Sequence, residues 1–109
     1  MTQQALFILA SLALGELHGY GIAQDVEELS EGAVRLTAGT LYGALNRLTA
    51  EGLVAQTRED VVEGRRRRYY RLTAAGQAAL AEETARLRSV AAALGSRTGA
   101  RATRKPSPA

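Results

Sequence analysis

The sequence contains no cysteine and no tryptophan, and only one histidine and one phenylalanine. Without cysteine there is no disulfide framework and no thiolate chemistry. One histidine and no cysteine leave no ligand set for a structural zinc. The lone His18 stands before a helix, where such a residue is more often part of a turn than a general base. Ser11, Ser30, Ser89 and Ser96 have no histidine partner in any recognisable pattern, which argues against a hydrolytic triad. No cofactor or metal is therefore expected, and catalysis is not. The longest apolar run, residues 5–14, is too short to span a bilayer. It also makes a poor leader, because no basic residue precedes it. These absences fit a cytoplasmic, single-domain protein of 109 residues.

What is present is unevenly distributed. The net charge is +3. Residues 1–63 carry three Arg against nine acidic residues, a net of −6. Residues 64–109 carry eleven basic residues against two acidic ones, a net of +9. A chain polarised in this way attracts an anion locally, and nucleic acid is the commonest such partner.

Hydrophobic spacing predicts the elements. Residues 3–14 are apolar on nearly every side, through Ala5, Leu6, Phe7, Ile8, Leu9, Leu12 and Leu14. A helix of that kind must be covered on most faces, here with help from a partner subunit, and Gly15 would close it. His18-Gly19-Tyr20-Gly21 reads as a turn into a second helix over 20–29, with Ile22, Val26 and Leu29 as its core stripe. Val34 and Leu36 anchor a short linker. Thr37 is a good N-cap for a third helix over 38–51. Leu41, Leu45 and Leu48 form its stripe, and Gly52 stops it. A hairpin follows: a strand over 53–59, a turn over 60–64, and a return strand over 65–72 in which Tyr70 and Leu72 share a face. Val61 and Val62, near the tip, have no role in this reading. Thr73 caps a last helix over 74–94. Its Leu80, Leu87 and Leu94 lie seven apart, with Thr84 and Ala91 between them, a seam suited to another helix. Beyond Gly95 the chain turns polar and basic, with Arg97, Arg101, Arg104 and Lys105, and reads as disordered.

Three helices followed by a two-stranded hairpin make a winged helix-turn-helix. The fold class is mainly α with a small β-hairpin, and the hairpin must dock on the helices because it is too small to stand alone. The divisions are a DNA-binding domain over 1–73, a dimerisation helix over 74–95 and a basic tail over 96–109.

The third helix is the expected recognition helix, with its N-terminal residues near base edges. Its candidate contacts are Thr37, Thr40, Tyr42, Asn46 and Arg47, joined by Tyr20 from the second helix. Gly39 and Gly43 keep its face small. Read alone, this surface serves equally well as ordinary solvent-facing helix. The hairpin gives a sharper signal. Arg65, Arg66, Arg67, Arg68 and Arg71 put five arginines into seven residues. Like charges so close on a strand repel one another. Next to DNA the same crowding becomes favourable through counterion release, and arginine forks onto phosphate. A charged edge strand protected from aggregation is the competing reading.

Taken together, these segments resemble the PadR family of bacterial transcriptional regulators, in its short form. The resemblance is carried by His18-Gly19-Tyr20-Gly21-Ile22, by the run from Thr37 to Leu48, by Glu51-Gly52-Leu53-Val54, and by the run from Gly64 to Gly76. It covers residues 3–92. Two departures stand in the wing, where Arg66 replaces a frequent proline and Arg68 a frequent lysine. The last helix also lacks the long extension of larger members. The resemblance implies a homodimer on a palindromic operator, with the first and last helices packed across a two-fold axis. The candidate interface is Leu6, Phe7, Ala10, Leu80, Leu87, Ala91 and Leu94. The resemblance also implies a small aromatic or drug-like effector near that interface, lined by Leu6, Phe7, Ala10, Leu87 and Ala91. With one phenylalanine and no tryptophan, those residues read better as plain interface core. Repression by occupancy is the expected mechanism. The competing functions are a protein-interaction module and a nonspecific nucleic-acid binder.

Overall fold

The computed structural model describes the backbone of residues 1–103 and the side chains of residues 1–99. Its elements run α1 (Gln3–Ser11), β1 (Leu17–His18), α2 (Gly19–Leu29), α3 (Ala38–Ala50), β2 (Val54–Val62), β3 (Arg65–Leu72) and α4 (Ala74–Thr103). The strands form one antiparallel sheet in the order β1-β3-β2.

One apolar cluster holds the helices to the base of the sheet. Ile8, Leu9 and Leu12 come from the α1 end, Ile22 and Val26 from α2, and Leu41, Ala44, Leu45 and Leu48 from α3. Val34 in the linker, Val54 in β2 and Tyr70 in β3 complete it. The spacing had marked most of these positions. Leu29 is the exception. It is the last residue of α2 and is half exposed.

The caps explain where the helices start and stop. Thr37 accepts a hydrogen bond from the backbone N–H of Thr40 at 3.2 Å, satisfying one of the open donors of α3. Gly52, at φ +78°, ends the same helix. Leu53 N–H then reaches Leu48 C=O and Gly52 N–H reaches Thr49 C=O, the Schellman pattern. Thr73 ties the next helix to that stop. Its hydroxyl donates to Gly52 C=O at 2.6 Å and accepts from Gly76 N–H at 3.0 Å.

Four boundaries differ from the sequence expectation. First, α1 ends at Ser11 rather than near residue 14. Leu12 and Ala13 N–H groups turn back to Leu9 and Ala10 C=O in tighter turns, and Leu14 is left fully exposed. Second, His18 and Leu17 are not a simple turn. They add a short strand to β3, opposite Tyr69 and Tyr70. Third, the wing turn is two residues, Glu63 and Gly64, at φ 52° and 77°. Both central residues are left-handed, as a type I′ turn requires. Val61 and Val62 are therefore strand residues, paired across the ladder with Arg66 and Arg65. Fourth, α4 continues through Gly95 to Thr103, so residues 96–103 are helical rather than disordered. Alanine and arginine are strong helix formers, and Gly95 and Gly99, each costing about 1 kcal/mol, do not stop the run. The expectation for residues 104–109 lies outside the described residues.

Candidate nucleic-acid interface

α3 presents its core stripe inward and a sparse face outward. Gly39, Gly43, Asn46 and Arg47 are exposed, and a Cβ at either glycine would meet open space. Backbone can therefore approach a flat partner closely along this ridge. At its start, the Thr37 hydroxyl also donates to the Thr40 hydroxyl oxygen at 3.0 Å. That bond uses Thr40 as an acceptor and leaves its own proton to donate outward.

Tyr20 and Tyr42 behave differently from each other. Tyr20 is 67% exposed, and its hydroxyl accepts from Gln24 Nε2 at 3.2 Å. Tyr42 is half-buried and packs against the core. Its phenol lies so close to Gly19 that a side chain there would overlap it. Tyr42 is thus a packing residue as well as a surface one.

The wing faces the start of α2 across an open groove of about 640 Å³. His18, Gly19, Tyr20 and Tyr42 line one wall; Val62, Glu63, Arg65, Arg66 and Arg67 line the other. His18, the N-cap of α2, makes no capping bond with its side chain, and the first turn carries no acidic residue. The open N–H groups of that turn favour an anion. Five of the expected contact residues therefore meet at one groove: Tyr20, Tyr42, Arg65, Arg66 and Arg67.

The others are placed elsewhere. Thr37, Thr40 and Asn46 are exposed on α3 and outside the groove. Arg47 turns toward the N-terminus of α1, where it shares a cavity with Thr2 and Gln4. Arg68 is engaged within the hairpin. Its Nε lies 3.1 Å from Glu59 Oε1, and that carboxylate holds the guanidinium pKa above its ordinary value. The expectation of five mutually repelling arginines needs correcting here. The register sets Glu59 opposite Arg68 and Asp60 opposite Arg67, so part of the charge is balanced across the ladder. Arg65, Arg66 and Arg67 form no ion pair with any described residue.

Two basic residues were not singled out from the sequence. Arg35 sits in the linker just before the α3 N-cap, 3.2 Å from Glu27 and with 76% of its side chain exposed. Its place beside a helix start was the available signal. Arg58 lies over the Tyr69 ring at 3.8 Å and pairs with Glu16 and Asp60. Only the strand register reveals that arrangement.

The expected interface residues divide in the same way. Leu6, Phe7 and Ala10 are half-buried on α1. Leu80 packs against the core of its own chain. From residue 85 to 99 every α4 side chain is exposed, including Leu87 at 39%, Ala91, and Leu94 at 62%. Among the described residues, no helix is long and apolar enough to cross a membrane.

Helices α1–α3 with the β2–β3 hairpin define a winged helix-turn-helix protein. The chain belongs to the transcriptional regulator PadR-like family, whose model matches residues 8–82. This is a family of regulators, not of enzymes. Transcriptional regulator Rv3488 of Mycobacterium tuberculosis is 45% identical over 86 residues, which span 79% of this chain and 77% of that protein. A PadR family regulator from Clostridium difficile has a similar structure, with a TM-score of 0.74 and 25% identity over 89% of this chain and 99% of that one. Bacillus subtilis PadR, solved in complex with operator DNA, gives a TM-score of 0.64 and 27% identity. That match covers 73% of this chain and 45% of the other.

Proposed function

We propose that this protein is a cytoplasmic, sequence-specific DNA-binding repressor that acts as a homodimer on a palindromic operator. The groove between the wing and the start of α2 carries the reading. Three arginines without ion-pair partners among the described residues stand across it from a helix start whose N–H groups are open, and the bare face of α3 lies alongside. Phosphate suits the groove, and base edges suit the α3 face around Thr40 and Asn46. The relative solved with operator DNA supports the same assignment.

The exposed apolar run of α4 supports the dimer. Leu87, Ala91 and Leu94 are presented to solvent on one helix, and a second copy would cover them. Occupancy of a promoter by such a dimer represses without further machinery. A small aromatic or drug-like effector would act beside Leu6, Phe7 and Ala10, where α1 adjoins α4, by changing the spacing of the two recognition helices.

Footprinting on the DNA upstream of the protein's own coding region tests this, with and without candidate phenolics or drugs. A dimer should protect two half-sites about 10 base pairs apart. Uniform, unphased protection would instead favour a nonspecific binder.

A further inference from the structure

We infer that Glu16 is a positioning residue for DNA binding: it fixes the direction of the wing by holding the bulge in β2. The inference rests on the DNA-binding reading above and concerns a residue that touches no part of the groove.

Glu16 lies between α1 and β1, in the helical body of the protein. Its two carboxylate oxygens are divided between adjacent wing residues. Oε2 accepts from the Thr57 hydroxyl at 2.6 Å, and Oε1 accepts from Arg58 Nε at 2.9 Å. Those two residues stand where the ladder slips. Gln56 pairs with Tyr70 and Arg58 with Tyr69, so Thr57 is the extra residue of a β-bulge. A bulge bends its strand and increases the local twist. The direction of the hairpin beyond it, including the tip that carries Arg65, Arg66 and Arg67, is set at this point.

Arg58 extends the hold to the neighbouring strand. Its guanidinium lies over Tyr69 in β3 and reaches Asp60 Oδ2 at 3.1 Å. Tyr69 in turn lies 5.6 Å from His18, between ring centroids, and the two residues pair across β1 and β3. One carboxylate thus links the body to both strands of the wing.

The sign of the expected effect separates this role from simple electrostatics. Removing a carboxylate takes one negative charge from beside the wing, which by charge alone strengthens binding to DNA. A positioning role gives the opposite result for the operator. With the bulge released, only a fraction of molecules hold the wing correctly, and apparent affinity falls by that fraction.

The test compares wild type, Glu16→Gln, Thr57→Ala and Thr57→Ser. It measures operator and random-DNA affinity, together with hydrogen exchange of the wing amides. The Gln and Ala variants should bind operator roughly 5-fold more weakly, exchange wing amides faster, and bind random DNA no more weakly than wild type. Thr57→Ser keeps the hydroxyl and should behave as wild type. Operator binding by Glu16→Gln as tight as wild type, or tighter, overturns the inference, as does unchanged exchange. If the wild-type protein itself fails to distinguish operator from random DNA, the regulator reading falls and this role falls with it. If wild type discriminates and Glu16→Gln matches it, the positioning role alone is lost.

Discussion

Tyr42 in α3 lies against the backbone of Gly19 at the start of α2, with no space between them for a side chain. The contact sets how α3 sits on α2. Gly19→Ala should force the two apart and destabilise the fold by about 1–3 kcal/mol, the usual cost of overpacking. Denaturant unfolding measures this. Adding Tyr42→Phe, which removes the nearest atom, should recover part of the loss. An unchanged midpoint for Gly19→Ala would mean that the helices yield at no cost.

The Gly19 contact was not readable in the sequence, whereas much of the fold was. Helices α2 and α3, the Thr37 cap and the Gly52 stop follow from periodicity and local backbone chemistry, which act within a few residues. Leu17 and His18 show the limit. A two-residue strand has no period, and its pairing with Tyr69 and Tyr70 is a long-range fact. Glu63 shows another. The type I′ turn places a glutamate in the left-handed region, where Asn or Asp is the usual residue, and the expected turn over 60–64 is too wide. For the site, composition identified the arginines, but only the side-chain geometry separates Arg68, engaged by Glu59, from Arg67, whose cross-strand neighbour Asp60 pairs with Arg58 instead.

That separation makes the wing arginines unequal. Arg66→Gln and Arg67→Gln should each weaken binding to every DNA sequence and lower the salt slope by about 1. Arg68→Gln should lower it less, because Glu59 already neutralises that guanidinium. Titration of binding against salt concentration measures all three. Equal slopes for the three variants would mean that the Glu59 pair opens on DNA.

Acid should release the wing in a defined window. The hydroxyl of Thr57 and the guanidinium of Arg58 hold the Glu16 carboxyl below its ordinary value near 4.5. A carboxyl depressed in the folded state contributes stability above its unfolded pKa and loses it as pH falls through the lowered value. Intrinsic protection of the wing amides, corrected for base-catalysed exchange, should therefore stay flat from about pH 8 to pH 5 and fall below about pH 4. In Glu16→Gln this step should disappear. A step that persists in that variant would assign the acid response to another carboxylate.

The α4 seam predicts the assembly. Leu87 is 39% exposed, on a helix whose side chains are all exposed from residue 85 to 99. Leu87→Glu places a charge in the proposed interface and should give monomers by sedimentation. Leu80→Glu should instead destabilise the monomer fold, because Leu80 packs on its own core. A dimer that survives Leu87→Glu would mean that the seam lies elsewhere.

The most direct test of the central claim is the ratio of the protein's affinity for its own upstream DNA to its affinity for random DNA of the same length, at one salt concentration. A regulator reading bases from the face of α3 should give a ratio of about 10³ or more. Thr40→Ala should lower that ratio while leaving random-DNA binding intact. A ratio near one would contradict the account, leaving the arginine wing as a device for holding nucleic acid without reading it.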